Sequence, residues 1–493
     1  MVNIFNFKSK KRQNENESKN DERKQPIPLR ISVCEKLVKD IFGNSSDIVI
    51  QSFNTVKEPA MIIYVDGLVN KDLIDRDILK PLKANDFTGD VSLSIKAVYT
   101  EAHDIDTFVN CVMDAQVAVF YENSKKVYIV EFRGWDKRGV SEPDAENVIR
   151  GPKEGFNESI RTNTALLRRK IKTPKLILES LILGKQSKTS IVLAYIEGIV
   201  NEEVLKELKK RISKINTDII LESGNIEQYI DEHNFLPISS IGITQKPDVA
   251  AMRIAEGRVA ILCDGTPHVL TVPELFIENI HTAEDYYFRS VYSTIIRILR
   301  VIAMFISVML PGLAVAIITY NEEMIPSVFL TSIITATQKT PMPVFAEVFL
   351  LSLMFELLRE AGTRMPKSVG SAITIVGSLI IGEAAVSAGI VSAPIVIIVA
   401  LTAVTSFMIP NLLEFILIYR TFYWLLGTTM GLIGIGAGFF IMMTQLISTD
   451  SFGIPILSSF SKNELKDSVL KLPFKSLRYR PTSIAKNNIK RRG

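Results

Sequence analysis

Three places in the 493-residue chain hold residue types at spacings that could do chemistry. RGPKEGFNESIR, from Arg150 to Arg161, gathers two glycines, a proline and clustered bases, a mixture able to set backbone N–H groups and cations around an anion. A phosphate loop needs Gly-Lys-Ser/Thr after four intervening residues, and GPKEGFNES lacks it. A structural linker or subunit contact is the plainer reading, with Arg150, Gly151 and Arg161 as contact candidates. Cys263 and His268 flank an Asp264-Gly265 turn and could act as nucleophile and base, but no third group orients them. A half-buried thiol and an edge imidazole explain the same residues.

The third place is Glu383, the one ionisable residue between Gly370 and Ile409. A charged group at membrane depth costs at least ~2.5 kcal/mol and normally faces protein or water. Val376, Ile380, Glu383 and Ser387 recur at helical spacing and are candidates to line a water-filled path. Gly370, Thr374, Ser378, Gly382, Ala385 and Gly389 make a separate small-residue stripe suited to helix packing, with Thr374 and Ser378 also candidates for gating. Glu356 and Arg359, at i,i+3, form either a simple helix salt bridge or part of a gate.

These residues need membrane-spanning elements to position them. From Val301 to Ile447 the chain is dominated by apolar runs, and ~20 such residues cover a hydrocarbon layer about 30 Å thick. Lipid offers no partner to the backbone, so the runs predict a bundle of spanning helices. Arg289, Arg297 and Arg300 precede the first run and place that side in the cytoplasm. Pro311-Gly312 predicts a kink. Val369 to Gly389 and Pro394 to Ile409 predict a hairpin of spans, and Asn411 to Gly427 is interfacial or a polar-lined span. Met430 to Ile447 is apolar, with Gly434 and Gly438 offering a close-contact face. A basic tail from Ser461 should stay inside, which makes the crossings even in number, four or six.

The average composition, 47% hydrophobic and 22% charged, conceals a split near residue 290. A net charge of +4 gives no reason to expect nucleic-acid binding. Cys34, Cys111 and Cys263 stand far apart, which predicts neither disulfides nor a Cys/His metal site and fits a reducing compartment. The polar N-terminus lacks an h-region, so no cleaved signal peptide is expected. Residues 1–30 are too polar to bury a core and read as a disordered arm or, less simply, an electrostatic membrane tether. Beyond them, Ala60 to Val69 reads as a buried strand. Ala118 to Phe132 and Arg258 to Val272 read as hairpins, and Asn201 to Ile215 as an amphipathic helix. The fold expected is an α/β cytosolic region of two small subdomains (31–155 and 156–285), then an α-helical polytopic transmembrane bundle (286–450) and a basic cytosolic tail (451–493).

Several stretches carry a family resemblance. ENVIRGPKEGFNESIRTNTALLRRKIKTP (Glu146 to Pro174), EGRVAILCDGTPHVLTVP (Glu256 to Pro273), FELLREAGTRMPKSVGSAITIVG (Phe355 to Gly377) and IGEAAVSAGIVSAPIVIIVALTAVTSFMIP (Ile381 to Pro410) closely resemble the A subunit of GerA-type spore germinant receptors. The resemblance runs in order over roughly residues 45 to 475, both halves of the chain. The resemblance implies a protein of the spore inner membrane that forms a homo-oligomeric channel. It also implies two companions, a transporter-like B subunit that binds the nutrient and a lipoprotein C subunit. Nutrient binding would open a path through the oligomer, release monovalent cations and trigger germination, with no catalytic residue, cofactor or metal. Two other classes fit the sequence less well. A secondary transporter would want paired broken helices and two similar halves, and no internal repeat is evident in the sequence. A membrane-anchored enzyme would want a P-loop, zinc spacing or a nucleophile elbow, and the sequence has none of these.

Overall fold

The structure, a computed structural model, describes residues 26–491 apart from 44, 56–57, 84–97, 135–142, 144–145, 234–235, 365–381, 458–466 and 486–487. The chain divides into two compact units. One holds the residues up to Ile230 with Ile243–Val272 and Ile484–Ile489; the other holds Asp231–Gly242, Pro273–Ser483 and the residues from Lys490.

The first unit contains two antiparallel five-stranded sheets of the same connectivity. Strands β1 (Ile48–Asn54), β2 (Pro59–Val65), β3 (Tyr99–Ala102), β4 (Val117–Tyr121) and β5 (Val127–Val130) lie in the order β1-β2-β4-β5-β3. Strands β6 (Leu176–Leu183), β7 (Thr189–Ile196), β8 (Gly242–Thr244), β9 (Val259–Cys263) and β10 (Val269–Val272) lie as β6-β7-β9-β10-β8. Each order is first-second-fourth-fifth-third, so the unit is a topological duplication. A sequence echo marks it: Tyr64-Val65-Asp66-Gly67-Leu68-Val69-Asn70 leaves β2, and Tyr195-Ile196-Glu197-Gly198-Ile199-Val200-Asn201 leaves β7. Gly67 (φ 84°) and Gly198 (φ 77°) take the left-handed conformation that both turns require. Asn70 and Asn201 then cap the helices that follow, each side chain accepting from backbone N–H groups of the first turn. The echo is short and its apolar positions vary, so the period does not stand out in the sequence alone.

Both faces of the first sheet are covered, which is why β2 reads as a continuous apolar run. Met61 and Ile63 pack beneath helices α1 (Ile31–Phe42) and α2 (Ile105–Met113), while Ala60, Ile62 and Tyr64 face Ile74, Ile78 and Leu82 of the helical stretch 71–83. Composition assigns residues 26–30 to the polar arm, yet Ile27 is buried and Pro26 bridges to Asp104.

A buried ion pair joins the two sheets. Arg168, on α3 (Ile160–Lys170), donates from Nε and Nη2 to both carboxylate oxygens of Asp47 at 2.8 and 2.9 Å. Its remaining donors reach the carbonyls of Thr173 (3.1 Å) and Leu176 (3.0 Å). Helix α4 (Glu202–Ser213) and helix α5 (Pro247–Ala255) complete the second sheet's cover. Removing one partner of such a pair leaves a bare buried charge. Arg168→Ala should therefore destabilise the protein by about 3–5 kcal/mol, measured as a shift in the denaturant midpoint of the full chain.

The second unit is helical: α6 (Ser290–Tyr320), α7 (Val344–Arg364), α8 (Ala393–Ser406) and α9 (Leu413–Ser448). Ser290–Tyr320 and Pro410–Ser448 are long and apolar enough to cross a membrane, with mean hydropathy 2.6 and 1.8. Helix α6 passes through Pro311 without ending. Helix α9 is really a hairpin. At Gly431 (φ 60°, ψ −142°) it doubles back, so that Tyr419 meets Gln445 and Tyr423 meets Met442. Each arm has about 18 residues and is roughly 27 Å long, enough for a span of its own. Beyond α9 the chain does not trail away: Ile454, Ile456, Leu477, Ile484 and Ala485 are all buried.

Candidate functional site

The helices of the second unit are held together by backbone at close range. A Cβ at Gly312 would lie 2.3 Å from the carbonyl oxygen of Tyr423, and one at Gly427 would lie 2.3 Å from that of Gly312. Helix α6 and the first arm of α9 therefore touch where neither has a side chain. Inside the hairpin Gly434 comes against the backbone of Leu426, while Gly438 leaves room for the side chains of Leu426 and Tyr423. At the turn, a Cβ on Gly431 would meet the Tyr320 ring at 3.2 Å.

Of the pore-lining candidates, Glu383 and Ser387 lie on a helical stretch at 382–387, and both are exposed on the protomer. Val376 and Ile380, with the packing or gating candidates Thr374 and Ser378, fall outside the described residues. The stretch turns through Gly389 (φ 65°) into α8 and packs back on it, a Cβ at Gly382 falling 3.6 Å from Val396. Glu356 does more than bridge to Arg359 on its own helix. It also binds Arg420, a buried residue of α9, so one carboxylate holds two guanidinium groups and ties α7 to α9. Beside the triad is a crevice of about 130 Å³ walled by Phe349, Leu353 and Trp424. Phe349 stacks on Trp424 at 5.0 Å, and the indole N–H donates to the carbonyl of Phe345 at 3.1 Å.

Glu347 stands out for its burial. It is 0% exposed, and Oε2 accepts from the backbone N–H (2.9 Å) and hydroxyl (2.7 Å) of Ser392, the residue that begins α8. The Thr340 hydroxyl lies 2.5 Å from Oε1. The sequence shows Glu347 only as a charge in a short apolar segment, because Ser392 lies 45 residues away.

The basic residues at the start of α6 also point inward. Arg297 donates to Asp285 (3.1 Å) and to the Ser468 carbonyl (2.9 Å), and Arg300 donates to Asp285 at 2.8 Å. His281 shares that Ser468 carbonyl at 2.7 Å, so its Nε2 carries the proton. Burial first, and the nearby Arg297 charge second, hold His281 well below its ordinary value of 6.5.

In the first unit the anion-cradle segment is engaged in structural contacts. Lys246 Nζ donates to the Pro152 carbonyl at 2.6 Å, and Arg161 pairs with Asp66 at 3.1 Å beside Lys71 at 2.9 Å. Arg150 and Gly151 are exposed. Cys263 and His268 do not form a pair: the thiol, pushed up to about 12 by burial, donates to the Asp264 carbonyl at 3.5 Å, while the imidazole meets Gln245 at 3.2 Å. Among the described residues no group of three or more His, Cys, Asp or Glu is placed to hold a metal ion.

Two measurements probe this arrangement. A side chain at Gly431 is strained by the positive φ, whereas a Cβ at Gly436 meets nothing within 4 Å. Gly431→Ala should lower stability in detergent by about 1–3 kcal/mol, while Gly436→Ala should change it by less than ~0.5 kcal/mol. His281 also makes stability depend on pH. Above 6.5 both states are neutral there, and below it the unfolded chain takes up a proton that the folded chain resists. The melting temperature should fall between about pH 7.5 and about pH 5.5, and His281→Gln, which keeps a donor for Ser468, should flatten that fall.

Comparison with known proteins returns one family. Residues 36–483 match the Bacillus/Clostridium GerA spore germination protein family. Spore germination protein KA of Bacillus subtilis (strain 168) is 37% identical over 491 residues, which is 96% of this chain and 90% of that protein. Spore germination protein GerLA of Bacillus cereus is 34% identical, covering 90% of this chain and 94% of its own. A Bacillus subtilis (strain 168) relative named uncharacterized membrane protein YfkQ is 38% identical, covering 90% and 89%. The crystal structure of the N-terminal domain of the A subunit of the Bacillus megaterium spore germinant receptor GerK3 is 34% identical. It covers 51% of this chain and 98% of that one, with a TM-score of 0.41.

Proposed function

This chain belongs to the GerA family of spore germination proteins, as the A subunit of a germinant receptor, and we propose that copies of it assemble into a nutrient-gated channel for monovalent cations. The observation that carries this reading is the place of Glu383. Its carboxylate is exposed on a single protomer, within a stretch otherwise too apolar for water. Facing lipid it would cost at least ~2.5 kcal/mol, so a second copy or a water-filled lumen must cover it. Ser387, one turn on and equally exposed, extends the polar face. Val376 and Ile380 stand at helical spacing from Glu383 in the sequence and are the further pore-lining candidates of this reading, with Thr374 and Ser378 as its packing or gating candidates.

In this reading the first unit and the segment after α9 lie in the cytosol, and the membrane is the spore inner membrane. The second unit is a polytopic bundle, since the two arms of α9 and the hairpin around Gly389 each supply crossings. The A subunit works within a receptor of several subunits. A transporter-like B subunit would bind the nutrient and a lipoprotein C subunit would accompany it, with the exposed Arg150 and Gly151 as contact candidates. Nutrient binding shifts the population towards an open arrangement by its differential affinity for the two states. Germinant-receptor subunits of this family are not known as enzymes.

The experiment is K+ conductance across bilayers holding the purified receptor. Glu383→Gln should cut the preference for cations over chloride by several-fold and leave assembly intact. An unchanged preference would remove Glu383 from the conduction path. Val376→Ala should leak without nutrient; silence of every variant, with all companion subunits present, would defeat the channel reading itself.

A further inference from the structure

Buried carboxylates normally meet a base, as Asp47 meets Arg168 and Asp285 meets Arg297 and Arg300. Glu347 does not. Fully buried in the helical unit, it is bonded among the described residues by Ser392 and Thr340, and no Lys or Arg among them pairs with it. Its position explains how it is tolerated. Ser392 is the N-cap of α8, so the carboxylate sits against the positive end of a 14-residue helix and accepts one of its otherwise unsatisfied N–H groups.

The contacts join three segments. Glu347 lies on α7, Thr340 on the linker before it, and Ser392 at the turn between the stretch bearing Glu383 and α8. Near that turn the packing is tight: Val348, Leu351, Val391, Ile395 and Val399 are buried together. Farther along α7 it loosens, with a cavity of about 80 Å³ lined by Met354, Phe355, Leu358 and Val396. That crevice opens to the surface, so among the described residues the contact of α7 with α8 is less continuous there than at the turn. The firm attachment is at its turn.

We propose that Glu347 is the latch that holds the hairpin carrying Glu383 in the resting arrangement, and that loss of its bonds to Ser392 is a step in opening. The proposal deepens the channel reading and names Glu347 as a positioning residue that acts through the hairpin. A charge desolvated against neutral donors is only marginally favourable, because the hydrogen bonds must offset what the lost hydration costs. That makes it suited to a contact that forms and breaks.

The test uses the full chain in its receptor complex, with two readouts. The first is the rate at which a maleimide labels a cysteine placed at Ile390, an exposed turn residue, in a Cys111→Ser background. The second is basal K+ efflux from vesicles containing the complex, with no nutrient added. Glu347→Ala should raise both by about tenfold or more, the scale of one lost charge-assisted bond. Ser392→Ala, which keeps the backbone donor, should raise them less. Glu347→Gln retains an acceptor oxygen and should restore most of the resting behaviour. A purely structural role would instead lower the yield of assembled complex and leave the K+ efflux of what assembles unchanged. Labelling unchanged within twofold in both assembled Glu347→Ala and Ser392→Ala complexes would overturn the latch. Labelling that rises while K+ efflux stays at zero in every variant would uphold the latch and overturn the channel reading.

Discussion

The helical unit depends on two backbones meeting without side chains between them, at Gly312 of α6 and Gly427 of α9. Lipid tails are as apolar as leucine, so burying apolar surface gives helices no net drive to associate in a membrane. What remains is close packing and polar contact, and both need the chains near each other. The glycine crossing brings α6 against the first arm of α9. Gly434 and Gly438 bring the second arm against the first. With these distances set, Arg420 on α9 can reach Glu356 on α7, and the indole of Trp424 can reach the carbonyl of Phe345. A larger residue at either glycine would force α6 and the first arm of α9 apart.

The charges of this unit follow from the same economy of partners. Arg297 and Arg300 precede an apolar run, which by itself reads as a cytoplasmic flank. In the fold they turn inward to Asp285 and Ser468, and the outward face of that turn of α6 carries Val291, Ile295, Ile298 and Ile302. Their charge is largely spent within the protein, so it counts for less in orientation than its place in the chain implies. Glu347 is met by hydroxyls and a helix terminus. Glu383 is exposed among the described residues, and in the proposed assembly it is the charge that a second copy or a water-filled lumen would cover.

The first unit solves a different problem. Two small sheets of the same connectivity each need both faces covered, and helices do this for each in the same order. Conformational demands recur at matching points. Ala115 (φ 65°) precedes β4 where Gly257 (φ 105°) precedes β9, so the first copy tolerates an alanine in a conformation the second gives to glycine. The repeat lies outside the helical unit, so it lends no support to the paired halves of a transporter. Arg168 and Asp47 then fasten one copy to the other with every guanidinium nitrogen occupied.

Local chemistry was legible in the sequence. The Asp264-Gly265 hairpin, the helix capped by Asn201, the small α/β character of the first half and the apolar character of the second each depend on residues within a few positions of one another. Turn residues and the periods of 2 and 3.6 record such relations directly. The family resemblance was legible too, because it rests on long runs in order. Tertiary structure alone decided which distant residues meet. Arg420 lies 64 residues from Glu356, and Ser392 lies 45 from Glu347; no period or motif links members of such pairs. It also decided that the run from Leu413 to Ser448 folds back at Gly431. The sequence already divides this run between Gly427 and Met430, and the packing of Gly431 against Tyr320 decides where the turn falls.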